Sequence, residues 1–310
     1  MGDLLLYSGL FVLSLAVLLK ASDWFINAAE SIGLGWGIPP FIIGVTIVAF
    51  GTSLPELATS IAAVLSGNSE IVIGNVVGSN ITNIALVLGL SALVSRQMIM
   101  ENDIWKMDMP FLWASAFLLW FVLADRHFTL FEALIFMGGI AIFLGYTFKS
   151  DTSGGETMRY KVSWRTYAML AVGGALVWLG ADYTIFAIQK LSVMAGIPSE
   201  IIALSAVAIG TSLPEIIVSI KAARKGKPEI AVGNVLGSNV FNTFVVMGVP
   251  SFFGKLVIPE NILSFHLPLM VAMTVLFGII SNNRIITRWE GLVLLLFFLV
   301  FMSQLAVQTL

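Results

Sequence analysis

Cysteine is absent from the 310-residue chain, histidine occurs only twice, and charged residues make up 11 %. Without thiols, neither disulfides nor thiolate metal sites can form. His127 and His266 are too few for an imidazole-based metal centre. The shortage of charge excludes more. A soluble domain carries about a quarter charged residues, so this chain cannot cover itself with polar surface, and its solvent must be lipid. What fills the gap is apolar: 58 % of residues are hydrophobic, with a mean hydropathy of +0.97. The net charge of −2 is set by short loops and selects no partner. Inorganic cations and the bilayer are the expected contacts, with no nucleic acid and no obligatory protein partner. A basic leader followed by a small-residue cleavage site is also missing, so the first apolar run is expected to be a retained helix.

A spanning helix needs about 20 mostly apolar residues. Ten are expected, at roughly 4–28, 39–66, 71–94, 108–124, 129–148, 165–189, 198–222, 230–253, 262–281 and 288–307. The breaks carry turn chemistry, as in Gly35-Trp36-Gly37, Ser66-Gly67-Asn68-Ser69, Gly226-Lys227-Pro228 and Ser281-Asn282-Asn283. Pro39 and Pro198 stand where helices begin. Loops on one side of this count hold twelve Lys and Arg, and those on the other hold three, Arg126, Lys190 and Lys255. Basic residues favour the cytoplasmic face. Both termini are therefore expected outside the cell membrane.

An internal repeat runs through the chain. Gly51-Thr52-Ser53-Leu54-Pro55-Glu56 recurs as Gly210-Thr211-Ser212-Leu213-Pro214-Glu215, an offset of 159. Gly74-Asn75-Val76-Val77-Gly78-Ser79-Asn80 recurs at the same offset as Gly233-Asn234-Val235-Leu236-Gly237-Ser238-Asn239. Asp23 matches Asp182, and Phe131-Glu132 resembles Trp289-Glu290 at an offset of 158. Five helices per half is an odd number, so the halves must insert in opposite orientation. The expected fold is an all-α polytopic membrane protein with ten transmembrane helices in a five-plus-five inverted-topology repeat. Residues 1–150 form the first repeat and 160–310 the second. In transporters built this way, substrate binds near mid-membrane at the repeat interface.

The motifs carry chemistry suited to that place. Pro55 falls about halfway along the second helix, where it cannot donate to the carbonyl four residues back. Carbonyls near Ala49 to Gly51 are thereby freed, and at this depth they must face protein, water or an ion. Thr52 and Glu56 share a helix face, with Ser53 beside them. The seventh helix repeats this with Ala208, Thr211, Ser212, Pro214 and Glu215. An intramembrane carboxylate is a functional candidate by default, and two at matching depth can converge on one cation. The alternative for each is a protonated Glu bonded to a neighbouring helix. Asn75, Ser79 and Asn83 line one face of the third helix, and Asn234, Ser238 and Asn242 of the eighth, with Asn80 and Asn239 adjacent. Asn75, Asn80, Asn234 and Asn239 serve equally as ligands or as helix-packing glue, whereas Ser79, Asn83, Ser238 and Asn242, deeper along the helix, are the better ligand candidates. All the candidate donors are oxygens, which suits hard cations such as calcium. Asp23 and Asp182, placed near the cytoplasmic ends of helices one and six, are expected to cap or ion-pair. Glu132, Glu290, His127 and His266 are expected at the interfaces, as are Trp24, Trp36, Trp105, Trp164 and Trp289.

The duplicated GTSLPE and GNxxGSN motifs resemble the calcium/cation antiporter superfamily, specifically its prokaryotic sodium/calcium exchangers. The resemblance covers essentially the whole chain. It implies helices 2, 3, 7 and 8 packed at the centre, with helices 1 and 6 sliding against them for alternating access. It implies calcium held by Glu56 and Glu215 with backbone oxygen from Thr52 and Thr211. Sodium would use Ala49, Ser53, Glu56, Ser79, Asn83, Ala208, Ser212, Glu215, Ser238 and Asn242. Both ions are cargo, and no cofactor is implied. Many members carry aspartate where this chain has Asn242, which leaves the stoichiometry open. The implied activity is exchange of calcium for sodium, with a proton- or potassium-coupled exchanger of the same fold as the alternative. A channel would need a polar path through the whole membrane, whereas these polar residues cluster at one depth. An intramembrane hydrolase would need a nucleophile–base pair, and none is evident.

Overall fold

A computed structural model describes residues 2–106, 108–150, 160–195 and 210–309. Its helices are α1 (Gly2–Trp36), α2 (Pro40–Leu65), α3 (Glu70–Ser95), α4 (Asp108–Asp125), α5 (Leu130–Ser150), α6 (Trp164–Met194), α7 (Leu213–Arg224), α8 (Pro228–Phe252), α9 (Ile262–Ile280) and α10 (Arg288–Thr309). Among the described residues, nine of these are long and apolar enough to cross a membrane. The remaining one, α7, is the described end of the expected seventh span. The first part of that span lies outside the described residues.

Helix ends fall at the turn residues. Gly67 and Gly226, themselves 159 apart, take φ values of +82° and +72°, which suit a residue without Cβ. In both, the glycine N–H and the next N–H turn back to helix carbonyls: Gly67 to Val64 and Asn68 to Ala63, Gly226 to Ala223 and Lys227 to Ala222. This closes the orphan carbonyls of α2 and α7. Two of the residues expected at the interfaces have a stated role. Thr129 and Glu132 form a reciprocal cap on α5, and Thr287 with Glu290 forms its counterpart on α10.

Four expectations need correction. Helices one and six run further than expected, α1 to Trp36 and α6 to Met194. Near and beyond the expected end of helix one, Asn27 accepts from Lys225 and Glu30 pairs with Lys227, so these polar residues are accommodated within the helix. Asp182 does not share a membrane face with Asp23, because α6 runs antiparallel to α1. Leu18 lies against Gly180, Phe25 against Gly173, and Thr184 bonds Ser14 at 2.9 Å. His266 is buried rather than interfacial, its Nδ1 3.2 Å from the Asn261 carbonyl.

Contacts between loops test the count of crossings. The Tyr160 hydroxyl, between α5 and α6, donates to the Ser31 carbonyl near the end of α1. Lys227, between α7 and α8, pairs with Glu30. Glu229 accepts from the backbone of Glu101 and Asn102, between α3 and α4. That same connection carries β1 (Gln97–Ile99), antiparallel to β2 (Ile285–Thr287) between α9 and α10, and Asp103 pairs with Arg284 at 2.6 Å. Five loops separated by even numbers of helices thus meet on one face. On the other, Arg126 pairs with Glu260, and the Val257 N–H reaches Ser69. The first group is the lysine- and arginine-rich one.

Burial sorts the helices. The spans of α2, α3 and α8 are mostly enclosed by protein, whereas α1, α5, α6 and α10 present apolar side chains outward. A soluble protein does not leave so much continuous apolar surface uncovered; in a bilayer it faces acyl chains. The centre is tight. Gly237 of α8 packs on the Val45 carbonyl, and Gly233 lies against Phe41 and Val45 of α2. Removing the side chain at these two points lets the backbones meet.

Candidate cation site

Glu56 and Glu215 are both buried, and Ser53, three residues before Glu56, donates to Glu215 Oε1 at 3.2 Å. Among the described residues, no lysine or arginine reaches either. In α2 the chain makes a π turn over Gly44–Val48, then continues as an α-helix through Pro55. In α7 the described helix starts at Leu213, with Pro214 in its first turn, where a missing N–H removes nothing.

The surrounding hydrogen bonds obey a pseudo-two-fold relation. Asn75 Nδ2 donates to Ser60 at 3.0 Å, as Asn234 Nδ2 donates to Ser219 at 2.9 Å. Thr211 donates to Asn75 Oδ1 at 3.3 Å, as Thr52 donates to Asn234 Oδ1 at 3.1 Å. Ser79 and Ser238 bond the same two amide oxygens. Asn80 Nδ2 bonds the Asn239 carbonyl at 3.4 Å, and Asn239 Nδ2 returns to the Asn80 carbonyl at 3.3 Å. Each pair is related by 159 residues, so the sequence repeat reappears as three-dimensional symmetry.

These bonds separate scaffold from candidate ligands. Asn75 and Asn234 tie α3 to α2 and α8 to α7, holding the threonines of both motifs. Asn75 also donates to the Glu56 carbonyl at 3.1 Å. Ser60 and Ser219 were not singled out from sequence. They lie four residues after Glu56 and Glu215 and recur at 159, which was the available signal. Trp105, Asp108 and His266 carry unpartnered buried atoms on other parts of the chain, and what is left over on the four central helices is a set of buried polar atoms with no hydrogen-bond partner: both carboxylate oxygens of Glu56, Oε2 of Glu215, Ser212 Oγ, Asn80 Oδ1, Asn83 Oδ1, Ser91 Oγ, and Oδ1 and Nδ2 of Asn242. Native interiors seldom leave buried polar atoms unpaired. Here they come from α2, α3, α7 and α8, and all but one are oxygens. Such a donor set fits sodium or calcium and suits a soft metal poorly.

Of the expected site residues, the structure brings together Glu56, Glu215, Ser53, Ser79 and Thr211. Ser53 donates to Glu215 Oε1 at 3.2 Å, and Ser79 and Thr211 share a bond at 3.3 Å. Thr52, Ser238 and Asn83 belong to the same buried network, Asn83 donating to Asn239 Oδ1 at 3.0 Å. Ala49, Ser212 and Asn242 are buried as well, whereas Ala208 lies outside the described residues. Asn83 and Asn242 each open a π turn, Asn83–Leu88 and Asn242–Val246, a distortion common at functional sites. A cavity of about 1,130 Å³ nearby is walled by apolar side chains such as Phe50, Leu54, Trp178 and Phe241. Its chemistry is wrong for an ion.

Comparison with known proteins identifies the family. Residues 6–149 and 165–306 match the family model described as sodium/calcium exchanger protein. The sodium/calcium exchanger MaX1 of Methanosarcina acetivorans is 34 % identical over 342 aligned residues, spanning 96 % of this chain and 97 % of that one. The inner membrane protein YrbG of Escherichia coli is 30 % identical over 294 residues, spanning 91 % and 90 %. A solved structure of the sodium-calcium exchanger NCX_Mj, soaked with 10 mM sodium and 10 mM strontium, matches with a TM-score of 0.85 at 30 % identity, covering 97 % of this chain and 98 % of that chain. With two half-chain matches to one model and relatives aligned nearly end to end, the chain belongs to the sodium/calcium exchanger protein family.

Proposed function

We propose that the chain exchanges calcium for sodium across the cell membrane as a secondary antiporter, with Glu56 and Glu215 at the shared site. The observation that carries this reading is the cluster of unpartnered buried oxygens drawn from four helices. Removing water from a cation is expensive, and a buried ring of oxygens replaces the lost shell. Two carboxylates balance one calcium. Sodium ions, each with a single charge, use the same carboxylates together with neutral oxygens. The calcium ligands in this reading are Glu56 and Glu215, with backbone oxygen from Thr52 and Thr211. Sodium draws on Ala49, Ser53, Ser79, Asn83, Ala208, Ser212, Ser238 and Asn242 besides the two glutamates. Because both cargoes need the glutamates, they cannot be held at full occupancy together, and that competition is the basis of counterflow. The two repeats, 1–150 and 160–310, each supply half of the site.

The loop-rich basic face is cytoplasmic in this reading, so both termini are outside. Purified protein in proteoliposomes tests the function. Sodium, potassium and proton gradients are imposed one at a time, and uptake of labelled calcium is followed. Calcium accumulation is expected with the sodium gradient alone. Accumulation driven only by potassium or protons would replace sodium coupling with the alternative.

A further inference from the structure

Outside the cation site, the strongest cluster of charge ties α1 to the end of α7. Asp23 receives two lysines, Lys221 at 2.7 Å and Lys225 at 2.8 Å. Lys225 also donates to Asn27 at 3.1 Å, Lys221 to the Leu19 carbonyl, and Lys227 pairs with Glu30. Asp23, Asn27 and Glu30 are spaced by four and three residues, so they form one stripe on α1. The side chains in these pairs are only 20–30 % exposed, which places them above an ordinary surface ion pair in strength.

This clasp has no image under the repeat. The positions 159 away are Asp182, Phe186 and Gln189 on α6, with Ala62, Ser66 and Asn68 at the end of α2. Only Asp182 is charged there, and it is exposed with no ion pair among the described residues. Most of the asparagine, serine and threonine bonds at the centre are duplicated across the two halves, and this group of ion pairs is single. The helices it joins are also special. α1 and α6 pack along one another and bury little against the remaining helices. Contact between this pair and the centre comes down to a few points, among them Phe25 against Gly51 and the clasp.

We propose that Asp23, Glu30, Lys221, Lys225 and Lys227 are positioning residues that favour the conformation closed on their own face of the membrane. The inference rests on the exchange reading above. If the two inverted halves were identical, the two access states would have equal energy, since each is the other with the repeats interchanged. A clasp present on one face alone breaks that equality. It must open for α1 to part from α7, so it lowers the fraction of molecules open on its own face. Apparent affinity falls in proportion to the competent fraction, so ions arriving on the clasped face bind more weakly.

Two measurements test this, and the first does not depend on transport. The absence of cysteine allows spin labels at Lys20→Cys on α1 and Arg224→Cys on α7, both exposed and outside the clasp. One short distance is expected in lipid, and Asp23→Asn or Lys221→Gln with Lys225→Gln should add a longer population. An unchanged distribution in both variants overturns the proposal. The second is the apparent calcium affinity on each face, read in inside-out and right-side-out vesicles. The ratio of the two is expected to move by roughly twofold to tenfold in favour of the clasped face. Equal changes on both faces would mean a merely structural role and would also overturn it. Glu30→Lys should shift the ratio the same way, and adding Lys227→Glu should restore it. Failure of wild-type exchange with an altered distance distribution would reject the transport reading and leave the clasp.

Discussion

Glu56 and Glu215 hold repeat-related positions, yet their surroundings differ by one hydrogen bond. Ser53 donates to Glu215 at 3.2 Å, while its counterpart Ser212 has no partner and neither do the oxygens of Glu56. Replacing either glutamate by glutamine keeps the shape and removes the charge. For a bound calcium, losing one of two buried carboxylates breaks a buried opposite-charge contact, which costs about 3–5 kcal/mol, or roughly a hundredfold to several thousandfold in affinity. Glu56→Gln and Glu215→Gln are each expected to abolish calcium-dependent exchange while leaving the protein folded, measured by flux beside calcium-induced thermal stabilisation. A variant with normal flux would take its residue out of the site. Asp23→Asn, by contrast, leaves every unpartnered oxygen in place and should retain transport.

At the scale of the helix, the distortions around the site have unequal visibility in sequence. Pro55 and Pro214 mark where α2 and α7 give up a backbone donor, although α2 stays helical through Pro55 and Pro214 lies in the first turn of α7. Nothing comparable marks the π turns that begin at Asn83 and Asn242: no proline or glycine stands at either position. They arise from tertiary packing, which no local pattern encodes. The expected ends of helices one and six fall short of Trp36 and Met194, where these helices stop. Asn75 and Asn234 could be recognised as repeated and buried, but their role as struts depended on where Ser60 and Ser219 would lie. Glu132 and Glu290 were plainer than they were taken to be, since each follows a threonine by three residues in a capping box. Close approach of α8 to α2 gives an element-level test. A methyl group at Gly237 would meet the Val45 carbonyl and Ala49. Gly237→Ala is expected to destabilise the protein by ~1–3 kcal/mol, seen as a lower melting temperature in detergent. An unchanged melting temperature would mean the two helices have room to spare.

For the whole molecule, the loop contacts already divide the connections into two groups, and labelling can say which group faces the cytoplasm. Asn68 and Glu101 are exposed and belong to opposite groups. In intact cells a membrane-impermeant thiol reagent should modify Asn68→Cys, and should reach Glu101→Cys only after permeabilisation. The reverse pattern would invert the orientation proposed here. The inverted arrangement also bears on what happens during a cycle. Interchanging the repeats sends the bond from Asn80 Nδ2 to the Asn239 carbonyl into the bond from Asn239 Nδ2 to the Asn80 carbonyl. This pair is its own image, whereas the Ser53–Glu215 bond and the ion pairs of Asp23 are not. An operation that maps one facing onto the other leaves the asparagine pair as it was. It can serve as a fulcrum, a point whose own two bonds persist while the unduplicated Ser53–Glu215 bond does not.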